Sequence, residues 1–232
     1  MVTFSIIIVV SFSVIIYTIP SSVKNICAGA FYFCTGLQSV DIPNGVTTIG
    51  NGAFSKCSNL ASVTIPGSIV SIDNNAFYKC TSLTLITSEI RNPFTIEKNV
   101  FATYTTATLF VLSGTKAAYQ STSWWNNFQN IVEVGQEFES DGIRYRIGGN
   151  YTVSVIEKSD KYSGDVVIPD QVKHDGTNYT VTSIGESAFE GCVDMTSVSI
   201  PSSVKNICAG AFYYCTGLQS VVIPNGVIII GE

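Results

Sequence analysis

Five cysteines return at one spacing. Cys34, Cys57 and Cys80 stand 23 residues apart, and Cys192 and Cys215 repeat the interval. A file of thiols could carry redox chemistry or hold a metal. Redox chemistry needs a depressed thiol pKa, supplied by a nearby cation, and no His, Lys or Arg accompanies the whole column. A zinc site needs closely spaced Cys and His ligands, but the chain has no C-x-x-C pair and only one histidine, His174. The column therefore reads as small, buried, apolar packing, which is how most free cysteines behave. No metal and no cofactor are expected. Cys27 and Cys208 occupy a turn position where sister rows carry Gly50, Asp73 or Gly185. These two are expected to be the accessible thiols. Seven cysteines is an odd number, so at least one stays unpaired within a monomer.

The remaining candidates are sparse. His174 precedes Asp175 in an expected hairpin, without the nucleophile and orienting partner that base catalysis needs. Glu137, Glu139 and Asp141 form a short acidic run. It reads as a soluble linker rather than a carboxylate pair for glycoside chemistry. No glycine-rich phosphate loop is present. Trp124-Trp125 could stack on a sugar or a peptide, but at least one reads as core. Asn150-Tyr-Thr and Asn178-Tyr-Thr fit the N-glycosylation acceptor, which matters only in a eukaryotic secretory pathway. No catalytic residue is assigned, and the protein is read as a non-enzyme.

Composition narrows the class. Of 232 residues, 46% are hydrophobic, enough for a sizeable core, and only 12% are charged. The surface must rely on Ser, Thr, Asn and Gly. Net charge is −5 with no basic cluster, which argues against nucleic acid as a partner. A small-molecule substrate is not expected either. Met1 to Thr18 is apolar and uncharged, about the length that spans a bilayer. It lacks the basic start of a secretory leader, and its last part also fits a repeat strand. Both readings, signal or anchor and capping strand, stay open.

The rows explain the spacing. Ile-Pro recurs at Ile19, Ile42 and Ile65, then at Ile200 and Ile223. Phe31, Phe54 and Phe77 keep the same clock, as do Phe189 and Phe212; Leu37, Leu60, Leu83, Met195 and Leu218 follow each Cys by three. A fixed period of this size marks a stacked-repeat protein. Within a row, "LQSVDIP" alternates like a half-buried strand, and Pro43 ends the pairing because it has no N–H to donate. "AFSKCSNL" places Phe54, Cys57 and Leu60 three apart, so one helical or 3-10 turn could aim all three inward. One row cannot bury these residues, but stacked rows can. The expected core is Phe31, Cys34, Leu37, Phe54, Cys57, Leu60, Phe77, Cys80, Leu83, Phe189, Cys192, Phe212, Cys215 and Leu218.

The row "IPNGVTTIGNGAFSKCSNLASVT" resembles the BspA-type leucine-rich repeat of bacterial and protozoan surface proteins. Five rows carry its Ala-Phe-x-x-Cys-x-x-Leu core, with Met195 once in place of Leu. The resemblance implies a mostly β leucine-rich-repeat solenoid with short helical or 3-10 turns, in two tandem arrays with cap segments. Residues 1–134 form the first array, ending in a C-terminal cap over 89–134. There Ser88-Glu89 interrupts the rhythm and Tyr119, Trp124, Trp125 and Phe128 supply a lid. Residues 135–232 start the second array, with an N-terminal β cap over 137–182. Its Ile143, Tyr145, Ile147, Val153 and Val155 alternate around a Gly148-Gly149-Asn150 turn, and Asp175-Gly176 marks a second hairpin. The second array stops before its next Ala-Phe-x-x-Cys, so the chain is expected to be a piece of a longer protein.

The resemblance also implies display at the cell surface or outside the cell, and adhesion to host matrix proteins such as fibronectin or fibrinogen. The binding face is expected along one side of the sheet, at Ser39, Asp41, Ser62, Thr64, Thr87, Ser197, Ser199 and Ser220, beside Leu85 and Val222. Self-association through uncapped strand edges is a further expectation. A passive surface spacer and an accessory segment of a larger protein are the alternative readings.

Overall fold

The computed structural model describes residues 16–231. The chain forms two compact units, Met1–Glu133 and Val134–Glu232. In the first, the strands are β1 (Ile16–Thr18), β2 (Asn25–Ile26), β3 (Ser39–Asp41), β4 (Thr48–Ile49), β5 (Ser62–Ile65), β6 (Ser71–Ile72), β7 (Leu85–Ser88) and β8 (Thr108–Leu112). Helix α1 (Lys116–Ser121) and strand β9 (Asn130–Val134) follow. Odd-numbered strands and β8 make a six-stranded sheet in the order β1-β3-β5-β7-β8-β9, and β2-β4-β6 make a second sheet of three. Of the Met1–Thr18 segment, only Ile16–Thr18 lies within the described residues, as β1. No helix among those residues is long and apolar enough to cross a membrane.

Each row is one coil, and parallel pairing sets like over like. Val40 pairs with Val63, Val63 with Ile86, and Ile86 with Leu109, and all four side chains are buried. On the turn side the chain makes successive i-to-i+3 bonds, such as Ala53 N to Gly50 O and Cys57 N to Phe54 O. Every second N–H there points along the stack instead: Phe31 N bonds Ala53 O at 2.7 Å and Phe54 N bonds Ala76 O at 2.8 Å. The phenyl rings must then repeat at the coil spacing. Phe31, Phe54, Phe77 and Phe101 stack nearly parallel, with centroids 5.0–5.2 Å apart. Gly50 marks a close approach of two coils, because a Cβ there would meet Ala28 N at 2.7 Å.

The cysteine column has a polar reason as well as an apolar one. Cys57 Sγ donates to Phe31 O at 3.1 Å, Cys80 Sγ to Phe54 O at 3.0 Å, and Cys215 Sγ to Phe189 O at 2.9 Å. Each thiol thus reaches the coil before its own. An alanine would lose both that donor and the volume of the sulfur.

The phenyl column ends in crossed rings. Phe101 meets Tyr104 and Phe128 edge-on at 5.9 and 5.4 Å, and lies 5.8 Å from Trp125. Trp125 is fully buried, and Trp124, with a left-handed φ of 69°, is half-buried. Two buried polar tips are satisfied. Trp125 Nε1 donates to Phe94 O at 2.9 Å, and Tyr119 OH donates to Ile90 O at 2.8 Å. Ser88 Oγ sits 2.6 Å from the same Tyr119 oxygen, which accepts its proton. That contact explains why Ser88 can stand fully buried where the row would place an apolar residue.

The second unit opens on antiparallel hairpins. Its strands are β10 (Glu137–Ser140), β11 (Ile143–Ile147), β12 (Thr152–Val155), β13 (Gly164–Val167), β14 (Gln171–His174), β15 (Thr177–Ile184), β16 (Met195–Ser199), β17 (Asn206–Ile207) and β18 (Ile229–Ile230). β10, β11 and β12 pair antiparallel, as do β14 and β15, and from β15 to β17 and β18 the pairing is parallel. Asp141-Gly142 and Asp175-Gly176 turn two of these hairpins with positive φ at both residues, the mirror-image turn that matches strand twist. Tyr162 packs on Phe189 at 4.8 Å, and Phe189 stacks on Phe212 at 5.3 Å.

Several sequence expectations need correction. Cys34 is exposed, and Phe31, Phe212, Cys215 and Leu218 are half-buried rather than core. Each lies in an end coil of its unit, which has a neighbouring coil on one side only among the described residues. The acidic run is not a linker: Glu137 and Glu139 lie in β10, and Asp141 turns the hairpin.

Phe54 is completely enclosed. Phe54→Ala should lower unfolding free energy by about 3–5 kcal/mol, read by urea denaturation of the full chain. High pH gives a second expectation. Burial raises the Tyr119 and Tyr162 phenols from 10.0 to about 12. Their folded-state pKa lies above the unfolded one, so this contribution is full below pH 10 and lost as pH rises towards 12. Melting temperature should fall across that window, and Tyr119→Phe should flatten part of the fall while lowering stability at neutral pH.

Candidate binding surfaces

The sheet of the first unit presents two files of side chains opposite the core. Ser39, Ser62 and Leu85 align in one, and Asp41, Thr64 and Thr87 in the other. Asp41 is exposed and the other five are half-buried. The hydroxyls of Ser39, Ser62, Thr64 and Thr87 make no hydrogen bond among the described residues, so they are free to meet a partner. The files end at Thr108 and Phe110, which are buried.

Ser197, Ser199 and Ser220 belong to the other unit and are exposed. Ser197 is not free. Its Oγ donates to Asp165 Oδ1 at 2.7 Å, and Thr196 Oγ1 donates to the same atom at 2.9 Å. These hydroxyls, Ser197 first, hold the Asp165 carboxyl below its usual range. Asp165 comes from β13, which pairs with β16 at an interval of 32 residues, longer than the 23-residue row. That explains why the sequence did not point to it.

The acidic run and its neighbours are engaged with each other. Glu137 accepts from Arg144 at 2.7 Å through one oxygen and from Arg146 at 2.7 Å through the other. This carboxylate is held by both guanidinium groups. His174 lies flat on Phe138, with ring centroids 4.0 Å apart, and its Nε2 stands 3.5 Å from Asp175. No group of three or more potential metal ligands occurs among the described residues. Asn150 and Asn178 are both exposed, and the Thr residues of their acceptor triplets, Thr152 and Thr180, are paired neighbours on β12 and β15.

One surface escaped the sequence reading. Several residues just after the core Phe positions face outward at the turns. They are Tyr32 and Phe33 in the first described coil, Lys56 in the second, Tyr78 and Lys79 in the third, and Tyr213 and Tyr214 in the other unit. Phe33, Lys56, Lys79 and Tyr214 share a left-handed backbone, with φ of 55–62°. Lys56 Nζ lies 5.0 Å from the Tyr32 ring centre, and Lys79 Nζ lies 5.4 Å from that of Tyr78. The aromatic pair beside the repeating core Phe could have flagged this edge, but Tyr32 and Lys56 meet only across a coil boundary.

Comparison with known proteins agrees with this architecture. A family model described as the BspA type leucine rich repeat region matches in six copies, over residues 11–130 and 173–232. The chain belongs to the BspA-type leucine-rich repeat family. Among solved structures, the leucine-rich repeat protein TpLRR of T. pallidum is 23% identical, over 93% of this chain and 72% of that one, with a TM-score of 0.36. A leucine-rich repeat protein of Bacteroides ovatus is 19% identical, over 94% and 57% of the two chains, with a TM-score of 0.33. The pneumococcal vaccine antigen PcpA is 16% identical, over 94% and 58%, with a TM-score of 0.33. The chain thus spans little more than half the length of the last two. Comparison with curated proteins finds no significant match.

In this BspA-type chain the thiols divide by exposure. Cys27 and Cys34 are exposed, Cys208 and Cys215 intermediate, and Cys57, Cys80 and Cys192 buried. Burial raises the Cys192 thiol, and Cys80 is raised first by its contact with Cys57 and then by burial. A thiol reagent on the native protein should modify Cys27 and Cys34 within minutes, leaving Cys57 and Cys80 protected until denaturant is added. Peptide mapping of the labelled sites checks the order.

Proposed function

We propose that the protein is a non-enzymatic binding module displayed at the cell surface, with two repeat arrays in tandem. In this reading residues 89–134 close the first array and residues 137–182 open the second. The module engages host extracellular-matrix or other surface proteins through the sheet face. One observation carries this reading: Ser39, Ser62, Thr64 and Thr87 stand in register on adjacent parallel strands with unpartnered hydroxyls. Membership of the BspA-type family supports surface display. Stacked arrays use such continuous faces for binding. The face lacks the Tyr, Trp and Arg anchors of tight interfaces, so each contact is weak and affinity comes from repetition.

The same lack of anchors favours a second reading, a passive spacer. The test is surface plasmon resonance of the full chain over immobilised fibronectin and fibrinogen. Saturable binding in the micromolar range is expected, weakened at least about tenfold by Thr64→Arg, equivalent to ~1.4 kcal/mol. Absence of saturable binding to both proteins supports the spacer. Binding that ignores Thr64→Arg and Ser62→Arg places the contact off this face.

A further inference from the structure

The turn edge of the first unit contains a shallow cleft of about 330 Å³, lined by Tyr32, Ser55, Lys56, Asn51, Asn75 and Tyr78 among others. Its walls are aromatic. Tyr32 is 51% and Tyr78 36% exposed. They sit two coils apart, roughly 10 Å along a stack with strand-like spacing. The coil between them carries Ser55 at the same position, and Ser55 is 4% exposed. A small residue between two tyrosines makes a floor between two walls. Gly52, also in the lining, adds no side chain to it.

The polar groups are neutral or cationic. Asn51 and Asn75 bring side-chain amides to the cleft, each with donors and an acceptor, and neither side chain has a partner among the described residues. Lys56 brings a cation. No lining residue is acidic, and Lys56 and Lys79 make no ion pair among the described residues. In a chain of net charge −5, two lysines thus share one edge beside exposed tyrosines. Each ammonium lies over a tyrosine ring, so cation and aromatic surface are presented together.

Aromatic faces accept the apolar C–H face of a sugar ring, amides pair with its hydroxyls, and a lone cation pairs with one carboxylate. We infer that this cleft binds an acidic saccharide, a uronic- or sialic-acid-bearing glycan, lying along the turn edge between Tyr32 and Tyr78. The carboxylate meets Lys56, the sugar hydroxyls meet Asn51 and Asn75, and a ring face packs on a tyrosine. This surface lies on the turn side of the coils, whereas the proposed protein-binding strip lies on the strands, so the two can be tested apart.

The repeat supplies variants that keep the fold. Gly191 occupies the Lys56 position in the other unit at φ 68°, close to 62° for Lys56, so Lys56→Gly fits the left-handed backbone. Ser55 already occupies the Tyr78 position one coil earlier, so Tyr78→Ser fits the turn. The experiment is isothermal titration of the full chain with a panel of oligogalacturonate and sialyl-oligosaccharides, their methyl-esterified neutral forms, and a glutamate-rich peptide. Saturable binding of at least one acidic saccharide is expected. Lys56→Gly and Tyr78→Ser should each weaken it about tenfold or more, as loss of a central anchor does. Esterification should weaken it similarly, and Thr64→Arg should leave it unchanged. The inference is overturned if no acidic saccharide binds, if esterified forms bind equally, or if the peptide binds more tightly. Binding unaffected by Lys56→Gly and Tyr78→Ser overturns it too. Circular dichroism of the two variants must match the parent chain.

Discussion

Backbone hydrogen bonds between neighbouring coils set the distance at which every side chain must repeat. On the strand side they run through the parallel ladder of β1, β3, β5, β7 and β8. On the turn side they run from Phe31, Phe54 and Phe77 to the next coil. Both sides enforce a step close to 5 Å. At that step a phenyl ring can lie only over another ring in nearly the same orientation, which is what the interplanar angles of 4° record. A residue too large or wrongly branched at such a position would collide with its own copy in the next row. The repeat in the chain is therefore a consequence of pitch.

The pitch also explains how polar groups are tolerated. Buried polar atoms must find partners, and here the partner often comes from the coil before. The Phe31 carbonyl accepts from Cys34 N within its coil and from Cys57 Sγ of the next. Where the repeat stops, the chemistry changes with it. Ser88, Tyr119, Trp125 and Phe94 add specific side-chain hydrogen bonds, 2.6 to 2.9 Å long, in an apolar setting. Crossed rings at Phe101 end the parallel stack, because an edge-on neighbour offers no face for a further ring.

The surface of the molecule is divided by the same geometry. Strand side chains alternate, so the hydroxylated strip follows directly from the period of two. The turn side has no such alternation, and the position two residues after Phe31, Phe54, Phe77, Phe189 and Phe212 takes a left-handed backbone. Hydroxyls collect on one side, and aromatic rings and lysines on the other.

Much was legible in the residues themselves. Row length, the inward residues Phe54, Cys57 and Leu60, the alternation of β11 and the Asp175-Gly176 turn all depend on chemistry within one row or one hairpin. A local pattern of apolar and turn residues is sufficient for these. Tertiary structure alone decided what lies beside what. It exposed Cys34, tied Ser197 to Asp165, clamped Glu137 between Arg144 and Arg146, and brought Lys56 over Tyr32. Those contacts join residues on different strands or coils. Their distances depend on register and on whether a coil has a neighbour, and no single row of the sequence contains that information.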